Sequence, residues 1–189
     1  MSCPTKVLKS GDKIPVFGLG TWLSKPGELQ LAVKHAISVG YRHIDAAAMY
    51  FNEKEVGEGI KDALKDNPSL KRKDLFIVSK LMVTDMNPKN VEEGCKQTLS
   101  DLGLEYLDLY LVHNPMAWKN NGKKGPAKMA RNADGSIPFD NDLQLSQTWL
   151  AMEELVKKGL VRNIGLANFN SKQIEDILKK GNVRQSNIV

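Results

Sequence analysis

The chain alternates between short apolar runs with the character of β-strands and longer segments with the apolar spacing of α-helices. Strand-like runs lie at residues 17–22, 41–46, 74–81, 106–113 and 161–167, and another begins at 186–189. Helix-like segments lie at 28–40, 52–66, 87–103, 143–159 and 171–180. Regular β-α alternation is typical of parallel strands joined by helical crossovers. The pattern therefore predicts an α/β fold of five βα units and the start of a sixth strand.

Two segments stand outside this alternation. TKVLKSGDKIPVF, at residues 5–17, predicts an opening β-hairpin with a Ser-Gly-Asp turn. Residues 114–141 form a loop rich in Gly, Pro and polar residues, and loops of this length are usually functional or disordered. Because 189 residues suit one domain and no linker interrupts them, residues 1–189 are expected to form a single domain.

Composition argues against several classes of protein. Hydrophobic residues make up 41% and charged residues 26%, which is ordinary for a globular domain. The net charge of +5 is scattered without interleaved aromatic residues, so no nucleic-acid partner is expected. The N-terminus lacks the apolar segment of a signal peptide, and no apolar run approaches the ~20 residues that span a membrane. Cys3 and Cys95 are far apart in sequence and form no metal-ligand spacing, so no metal is expected. They also form no disulfide framework, which favours a cytoplasmic location.

Polar residues stand at the ends of successive strand-like runs. Asp45 ends the second run, Lys80 the third and His113 the fourth, while Asn168 follows the fifth. Tyr50 comes five residues after Asp45, just before a helix-like segment. In a parallel β/α barrel the carboxyl ends of the strands meet at one face, where active sites gather. The pattern therefore favours an active site at that face.

Each of these side chains also has a structural alternative when it is considered alone. Asp45 could be a helix cap and Tyr50 a half-buried aromatic residue. Lys80 could be a solvated strand terminus, and His113 could be a hydrogen-bonded core histidine, which is the commoner role of a single histidine. Several such residues at equivalent positions are harder to explain structurally, because a purely structural sheet has little use for them.

The residue types together suit the reduction of a carbonyl group. A free phenol has a pKa near ~10, and a nearby ammonium favours the phenolate. A carboxylate can hold the ammonium, and a histidine can orient a carbonyl oxygen beside the phenol, which then acts as general acid. Since this group has no electron source, a hydride-donating cofactor is implied. It also has no Ser or Cys nucleophile paired with a base, which argues against hydrolysis.

On these residues the sequence resembles the aldo-keto reductase family, in its aldose reductase and aldehyde reductase branch. The matching segments are GLGTW, YRHIDAAAMYFNEKEVGEGI, DLFIVSKL, LDLYLVHNP and TWLAMEELVKKGLVRNIGLANFN. The resemblance runs almost end to end. GLGTW alone would be a weak signal, but the combination and its spacing are specific.

The resemblance implies a (β/α)8 TIM barrel that binds NADPH without a GxGxxG fingerprint, and the sequence contains no such fingerprint. It implies a monomeric full-length enzyme that reduces a small-molecule aldehyde or ketone to an alcohol. It assigns a catalytic tetrad, with the tyrosine as proton donor: Asp45, Tyr50, Lys80 and His113. It assigns Thr21, Trp22, Asp45 and Asn168 to the cofactor, and Trp22 and His113 to the substrate.

Three residues depart from the family pattern. Ala167 stands where the family often has Ser, so one contact to the cofactor is expected to be missing. Asn114 and Met82 stand where aldose reductase carries Trp, so the pocket is expected to be less aromatic.

The length of the chain leaves two functions open. Barrels of this class typically need ~250 residues, so this sequence is expected to hold only the first five βα units and the start of strand 6. The family's contacts to the cofactor phosphates follow the seventh strand. An unclosed barrel would expose two strand edges and much apolar surface that faces the helices. The alternative to a reductase is therefore a catalytically inactive truncated relative or fragment that acts as a binding or interaction protein, and the activity of residues 1–189 alone is in doubt.

Overall fold

The computed structural model describes residues 3–179 and the backbone of a strand at Ser186–Ile188. The strands are β1 Thr5–Val7, β2 Lys13–Pro15, β3 Leu19–Gly20, β4 His43–Asp45, β5 Phe76–Leu81, β6 Leu109–Val112, β7 Ile164–Leu166 and β8 Ser186–Ile188. The helices are α1 Leu29–Ser38, α2 Glu53–Asp66, α3 Pro88–Leu102, α4 Leu145–Lys157 and α5 Ser171–Leu178. The predicted alternation is confirmed, although the first strand-like run contributes only two residues to the sheet.

The main sheet has six strands in the order β3-β4-β5-β6-β7-β8, and all its pairs are parallel. Each strand lies beside the next one in the chain. Because parallel crossovers are right-handed, this order places every crossover helix on the same face of the sheet. Consecutive helices pack against one another along that face. This is the winding of a (β/α)8 barrel, of which the chain forms a part.

The hairpin predicted at the N-terminus is confirmed by antiparallel pairing of β1 with β2. Leu8 and Ile14 from the hairpin pack on a small apolar cluster, whose members are Phe76, Val78, Leu109, Leu111 and Ala167. The Nδ1 atom of His43, in the first position of β4, lies 3.0 Å from the carbonyl oxygen of Pro15. The hairpin therefore covers the amino ends of the strands and leaves the carboxyl ends open.

Alternation along the strands separates two apolar layers. In β5, Phe76 and Val78 belong to the inner cluster, whereas Ile77 and Leu81 belong to the larger core between the sheet and the helices. Because the side-chain period of a strand is two, Lys80 points to the inner face. The strand pattern thus decides which polar residues reach the concave side of the sheet.

The exposure expected of an unclosed barrel is found at a strand edge but not on the helix-facing side of the strands whose burial is described. Strand residues that face the helices are buried, as Ile44, Ile77 and Tyr110 illustrate. β3 forms an edge of the described sheet, with β4 as its neighbour on one side, and Phe17, two residues before it, is 67% exposed. Other large exposed apolar side chains lie away from this edge, such as Leu150 on α4.

The loop at 114–141 is anchored rather than free of contacts. A short 3₁₀ turn, Gly125–Met129, lies within it, and Trp118 bridges to Phe139. The ammonium of Lys128 contacts the carboxylate of Asp85 at 2.6 Å, and Asp85 is buried. The loop is therefore fixed against the chain that follows β5. None of the helices described is long and apolar enough to cross a membrane.

Candidate functional site

The strand register brings Asp45, Lys80 and His113 to one end of the inner face. Asp45 pairs with Val78, and Lys80 pairs with Leu111 one layer further along. Both partners belong to the inner apolar cluster, so Asp45 and Lys80 point inward as well. His113 follows Val112 at the end of β6, two positions after the inward Leu111. The carboxyl ends of three adjacent strands therefore supply three polar side chains to one concavity.

Lys80 is buried and is held by two oxygen atoms. Its Nζ atom lies 2.6 Å from Oδ1 of Asp45 and 2.9 Å from the carbonyl oxygen of Ala46. The Lys80 side chain is 8% exposed, whereas that of Asp45 is 39% exposed. Lys80 is thus not a solvated strand terminus, and the carboxylate of Asp45 is occupied by an ion pair.

Tyr50 reaches the same place from a 3₁₀ turn, Ala48–Tyr50, between β4 and α2. The Nζ atom of Lys80 lies 5.2 Å from the centre of the Tyr50 ring. The Tyr50 and His113 rings meet edge to face, with their centres 5.7 Å apart. Tyr50 is therefore placed between a cation and an imidazole, in contact with both.

His113 is buried, and its Nδ1 atom has no hydrogen-bond partner in the part of the chain that the structure describes. Burial, reinforced by the charge of Lys80, lowers the pKa of His113 from 6.5 to about 4, although Asp45 acts in the opposite direction. The imidazole is therefore neutral at pH 7. A neutral imidazole can donate one hydrogen bond but is a poor source of protons.

Thr21 and Trp22 lie at the rim, after β3. Thr21 is fully buried, and both its backbone N–H and its hydroxyl donate to the carbonyl oxygen of Asp45, at 3.1 and 3.0 Å. Trp22 is 69% exposed, and its ring centre lies 6.4 Å from that of Tyr50. Thr21 therefore fixes the strand end, and Trp22 presents an open aromatic face above it.

Asn168 follows β7 and turns back toward β6. Its Nδ2 atom donates to the carbonyl oxygen of His113 at 2.8 Å. Three non-glycine residues of the described chain have a left-handed φ: Leu23 at 59°, Phe51 at 56° and Asn168 at 64°. All three adjoin or belong to the predicted site, where backbone strain commonly collects.

The structure also places the residues that depart from the family pattern. Ala167 and Met82 are buried, while Asn114 is half-buried directly after His113. Among the described residues, no cluster of three His, Cys, Asp or Glu side chains could hold a metal ion.

Sequence reasoning missed two side chains that follow Tyr50 in the chain. Asn52 donates from Nδ2 to the carbonyl oxygen of Thr21 at 2.8 Å, which ties the Tyr50 turn to the rim. Glu53 is buried and accepts hydrogen bonds from Ser79 and Thr98. The sequence signal that could have identified Glu53 is its position on the apolar face of α2, where an apolar residue would be ordinary.

The chain is similar to known proteins in sequence and in fold. The sequence profile of the Aldo/keto reductase family matches residues 16–188. Aldo-keto reductase family 1 member A1 of Homo sapiens is 48% identical over 184 residues, which are 97% of this chain and 55% of that protein. Member A1-A of Danio rerio is 51% identical over 174 residues, which are 92% of this chain and 52% of that protein.

Two solved structures share the fold. The aldose reductase of Schistosoma japonicum has a TM-score of 0.91 and 44% identity, and the match covers 98% of this chain and 60% of that one. The aldose reductase of Giardia lamblia has a TM-score of 0.81 and 38% identity over 90% of this chain and 56% of that one. The chain spans about half the length of the curated relatives that it matches. Its profile match, its partial parallel barrel and its similarity to both structures show that the chain belongs to the aldo-keto reductase family.

Proposed function

We propose that the protein carrying this chain reduces aldehydes or ketones to alcohols with NADPH, and that Tyr50 donates the proton. The observation that carries the proposal is the position of Lys80, whose ammonium is 2.6 Å from Asp45 and 5.2 Å from the ring centre of Tyr50. An ammonium so close to a phenol stabilises the negative charge that develops as the phenol gives up its proton.

In this proposal Asp45 and the carbonyl oxygen of Ala46 hold the Lys80 ammonium in place. Neutral His113 donates a hydrogen bond to the substrate's carbonyl oxygen and so orients it beside Tyr50. As the carbonyl carbon is reduced, the phenol transfers its proton to the carbonyl oxygen, and the resulting phenolate faces Lys80. A proton from solvent then restores the phenol. The alcohol product thus gains one hydride on carbon and one proton on oxygen.

NADPH, when bound, supplies the hydride. Thr21, Trp22, Asp45 and Asn168 are the residues proposed to hold its nicotinamide end. The fit is supported by Asn168, because its Nδ2 atom donates to the backbone carbonyl oxygen of His113 and its side chain therefore lies beside the strand end that carries this tetrad residue. The donor set supports it as well, since the tetrad offers an acid and a cation but no group that can release electrons. Family membership is what favours NADPH as the particular donor.

The substrate is proposed to be a small carbonyl compound that enters past Trp22. Met82 and Asn114, in place of two aromatic residues, favour a less aromatic pocket than that of aldose reductase. The monomeric state and the cytoplasmic location expected from the sequence stay predictions.

The test is to follow NADPH oxidation by absorbance with a panel of aldehydes and ketones, using the natural polypeptide that carries these residues. Oxidation that depends on both carbonyl substrate and enzyme is the expected result. A folded protein that binds NADPH without oxidising it against any carbonyl would contradict the proposal. That result would favour the alternative of an inactive relative that acts as a binding protein.

A further inference from the structure

Glu53 is the first residue of α2 and lies three positions after Tyr50. Only 5% of it is exposed, although it bears a carboxyl group. Oε1 accepts a hydrogen bond from the hydroxyl of Ser79 at 2.6 Å, and Oε2 accepts one from the hydroxyl of Thr98 at 3.2 Å. The carboxyl group therefore connects three elements: the start of α2, the middle of β5 and the third turn of α3.

The contact with Ser79 matters because of what stands next to it. Ser79 precedes Lys80 on β5, and successive side chains of a strand point to opposite faces. Glu53 thus grips the outer face of β5 at the point where Lys80 projects from the inner face. On the other side of the same short turn, Asn52 is bonded to the carbonyl oxygen of Thr21.

The segment between Tyr50 and Glu53 is short and its backbone has little conformational freedom. The 3₁₀ turn ends at Tyr50, Phe51 has a left-handed φ of 56°, and α2 begins two residues later. A bulky residue in that conformation needs surrounding contacts to hold it. Glu53 and Asn52 supply such contacts directly after it in the chain.

We propose that Glu53 is a positioning residue for Tyr50. Its hydrogen bonds with Ser79 and Thr98 fix the turn that carries the phenol against the strand that carries the Lys80 ammonium. This inference rests on the proposed function, because it assigns Glu53 to the same reductase site. Glu53 does not itself reach the reacting atoms.

The ionisation of Glu53 gives this role a signature. Burial raises its pKa from 4.5 to about 7, against the opposing effects of the two hydroxyl donors and of Lys80, while Asp101 raises it further. Two further titratable groups interact with it, Cys95 on α3 and Tyr110 on β6. Burial raises the pKa of the Cys95 thiol to about 12, and it also raises the pKa of the Tyr110 phenol well above its ordinary value, so both stay neutral. Lys80 and Asp101 are therefore the charged groups that interact with Glu53 when it ionises.

A cleft of about 810 Å³ gives water a route to this carboxyl group. Its lining includes Glu53 and Thr98 together with Asp101 on α3 and Lys128 on the long loop. Proton exchange with solvent is thus open to Glu53 although its side chain is buried.

Two substitutions separate position from charge. Glu53→Gln keeps an acceptor for Ser79 and offers a donor to Thr98, so it preserves both hydrogen bonds and removes the ionisable carboxyl group. Glu53→Ala removes both. We expect Glu53→Ala to lower kcat by about tenfold or more, since small misplacements of reacting groups are costly, while KM for NADPH changes by less than about twofold. Glu53→Gln is expected to restore kcat to within about threefold of wild type, the range of a retained hydrogen bond.

Glu55→Ala is the matched control. It lies on the same turn of α2, but its carboxylate accepts from the backbone N–H groups of Gly27 and Leu29, toward α1. Its kcat should match wild type. Ser79→Ala is a gentler second test, because it removes one hydrogen bond and leaves little cavity; its kcat should fall between those of Glu53→Ala and wild type.

A readout without turnover keeps the inference separate from the proposed function. The chain has four tyrosines, and the ring Cζ signal of Tyr50 in a ¹³C-tyrosine spectrum can be assigned by its loss in Tyr50→Phe. In wild type this signal should shift with an inflection near pH 7 as Glu53 ionises, and the inflection should vanish in Glu53→Gln. Wild-type kcat for Glu53→Ala, or an unchanged Tyr50 inflection in Glu53→Gln, would overturn the inference. Absence of any reductase activity in wild type would overturn the proposed function and leave the spectroscopic test valid.

Discussion

The ammonium of Lys80 lies 2.6 Å from the carboxylate of Asp45, although the two residues belong to different strands and stand thirty-five positions apart in the chain. Their contact lies on the inner face of the sheet, where the Lys80 side chain is almost fully buried. A buried ammonium is costly unless oxygen atoms surround it. Here the Asp45 carboxylate and the Ala46 carbonyl oxygen do so, and the same ammonium lies 5.2 Å from the centre of the Tyr50 ring.

Replacing the proposed acid should abolish turnover. Tyr50→Phe removes the phenolic proton and keeps the ring that packs against His113 and Trp22. We expect kcat to fall by ~10²–10⁴-fold, the usual contribution of a general acid. NADPH affinity, measured by quenching of tryptophan fluorescence, should change little. A Phe variant that keeps more than about a tenth of wild-type kcat would remove Tyr50 from that role, since a general acid contributes more than this.

The Lys80–Asp45 pair should show an unequal response to substitution. Lys80→Met removes the charge beside Tyr50, so it should cut activity severely and steepen the dependence of kcat on pH. Asp45→Asn keeps that charge but removes the ion pair that holds the Lys80 ammonium in place, so its effect should be smaller. The measurement is the pH–rate profile of both variants beside wild type. Profiles identical to wild type in both would indicate that the pair serves only the structure.

His113 should make folding stability sensitive to mild acid. Burial lowers its pKa from 6.5 to about 4, so between those values the unfolded chain takes up a proton that the folded chain does not. Stability therefore falls as the pH drops through this window, and it is fully present above it. His113→Gln should lose less stability than wild type between pH 7.5 and pH 4.5, measured by urea unfolding.

The control for this titration is His35→Gln, on the exposed side of α1, which should keep the wild-type pH dependence. Glu53, whose pKa is raised to about 7, changes stability in the opposite direction over much of this range. Because Glu53 is present in all three proteins, the comparison isolates His113. Parallel stability curves for wild type and His113→Gln would show that the imidazole takes up its proton normally in the folded state.

Two glycines of α2 should tolerate no side chain. A Cβ atom at Gly57 would lie 2.4 Å from the carbonyl oxygen of Leu102 in α3, and one at Gly59 would lie 2.6 Å from that of Gln30 in α1. In an open helix, Gly→Ala stabilises by about 1 kcal/mol. Here backbone must move, so Gly57→Ala should destabilise by about 1–3 kcal/mol in thermal or urea unfolding. The control, Glu58→Ala on the exposed face between them, should be nearly neutral.

The sequence by itself determined the order of the elements and the polarity of their ends. Apolar periodicity located the strands and helices, and β-α alternation required a parallel sheet. The helix-like segment predicted at 87–103 matches α3, where Asn87 accepts a hydrogen bond from the backbone N–H of Lys89 and Gly103 ends the helix with a left-handed φ. Asp45, Lys80 and His113 could be singled out because each stands where a strand ends.

Only the tertiary structure decided which side chains meet. The inward direction of Lys80 depends on the strand register, because a shift of one residue would turn it toward the helices. The solvated strand terminus considered for Lys80 is wrong, because the Lys80 side chain is buried, and the burial of a side chain depends on the packing of the whole molecule. The absence of a hydrogen-bond partner for Nδ1 of His113 among the described residues is likewise a property of that packing. The grip of Glu53 on Ser79 and Thr98 joins residues up to forty-five positions apart, and local sequence carries no record of such a contact. Local patterns fix the backbone path, whereas the distances that govern acidity are set by packing between elements that are remote in the chain.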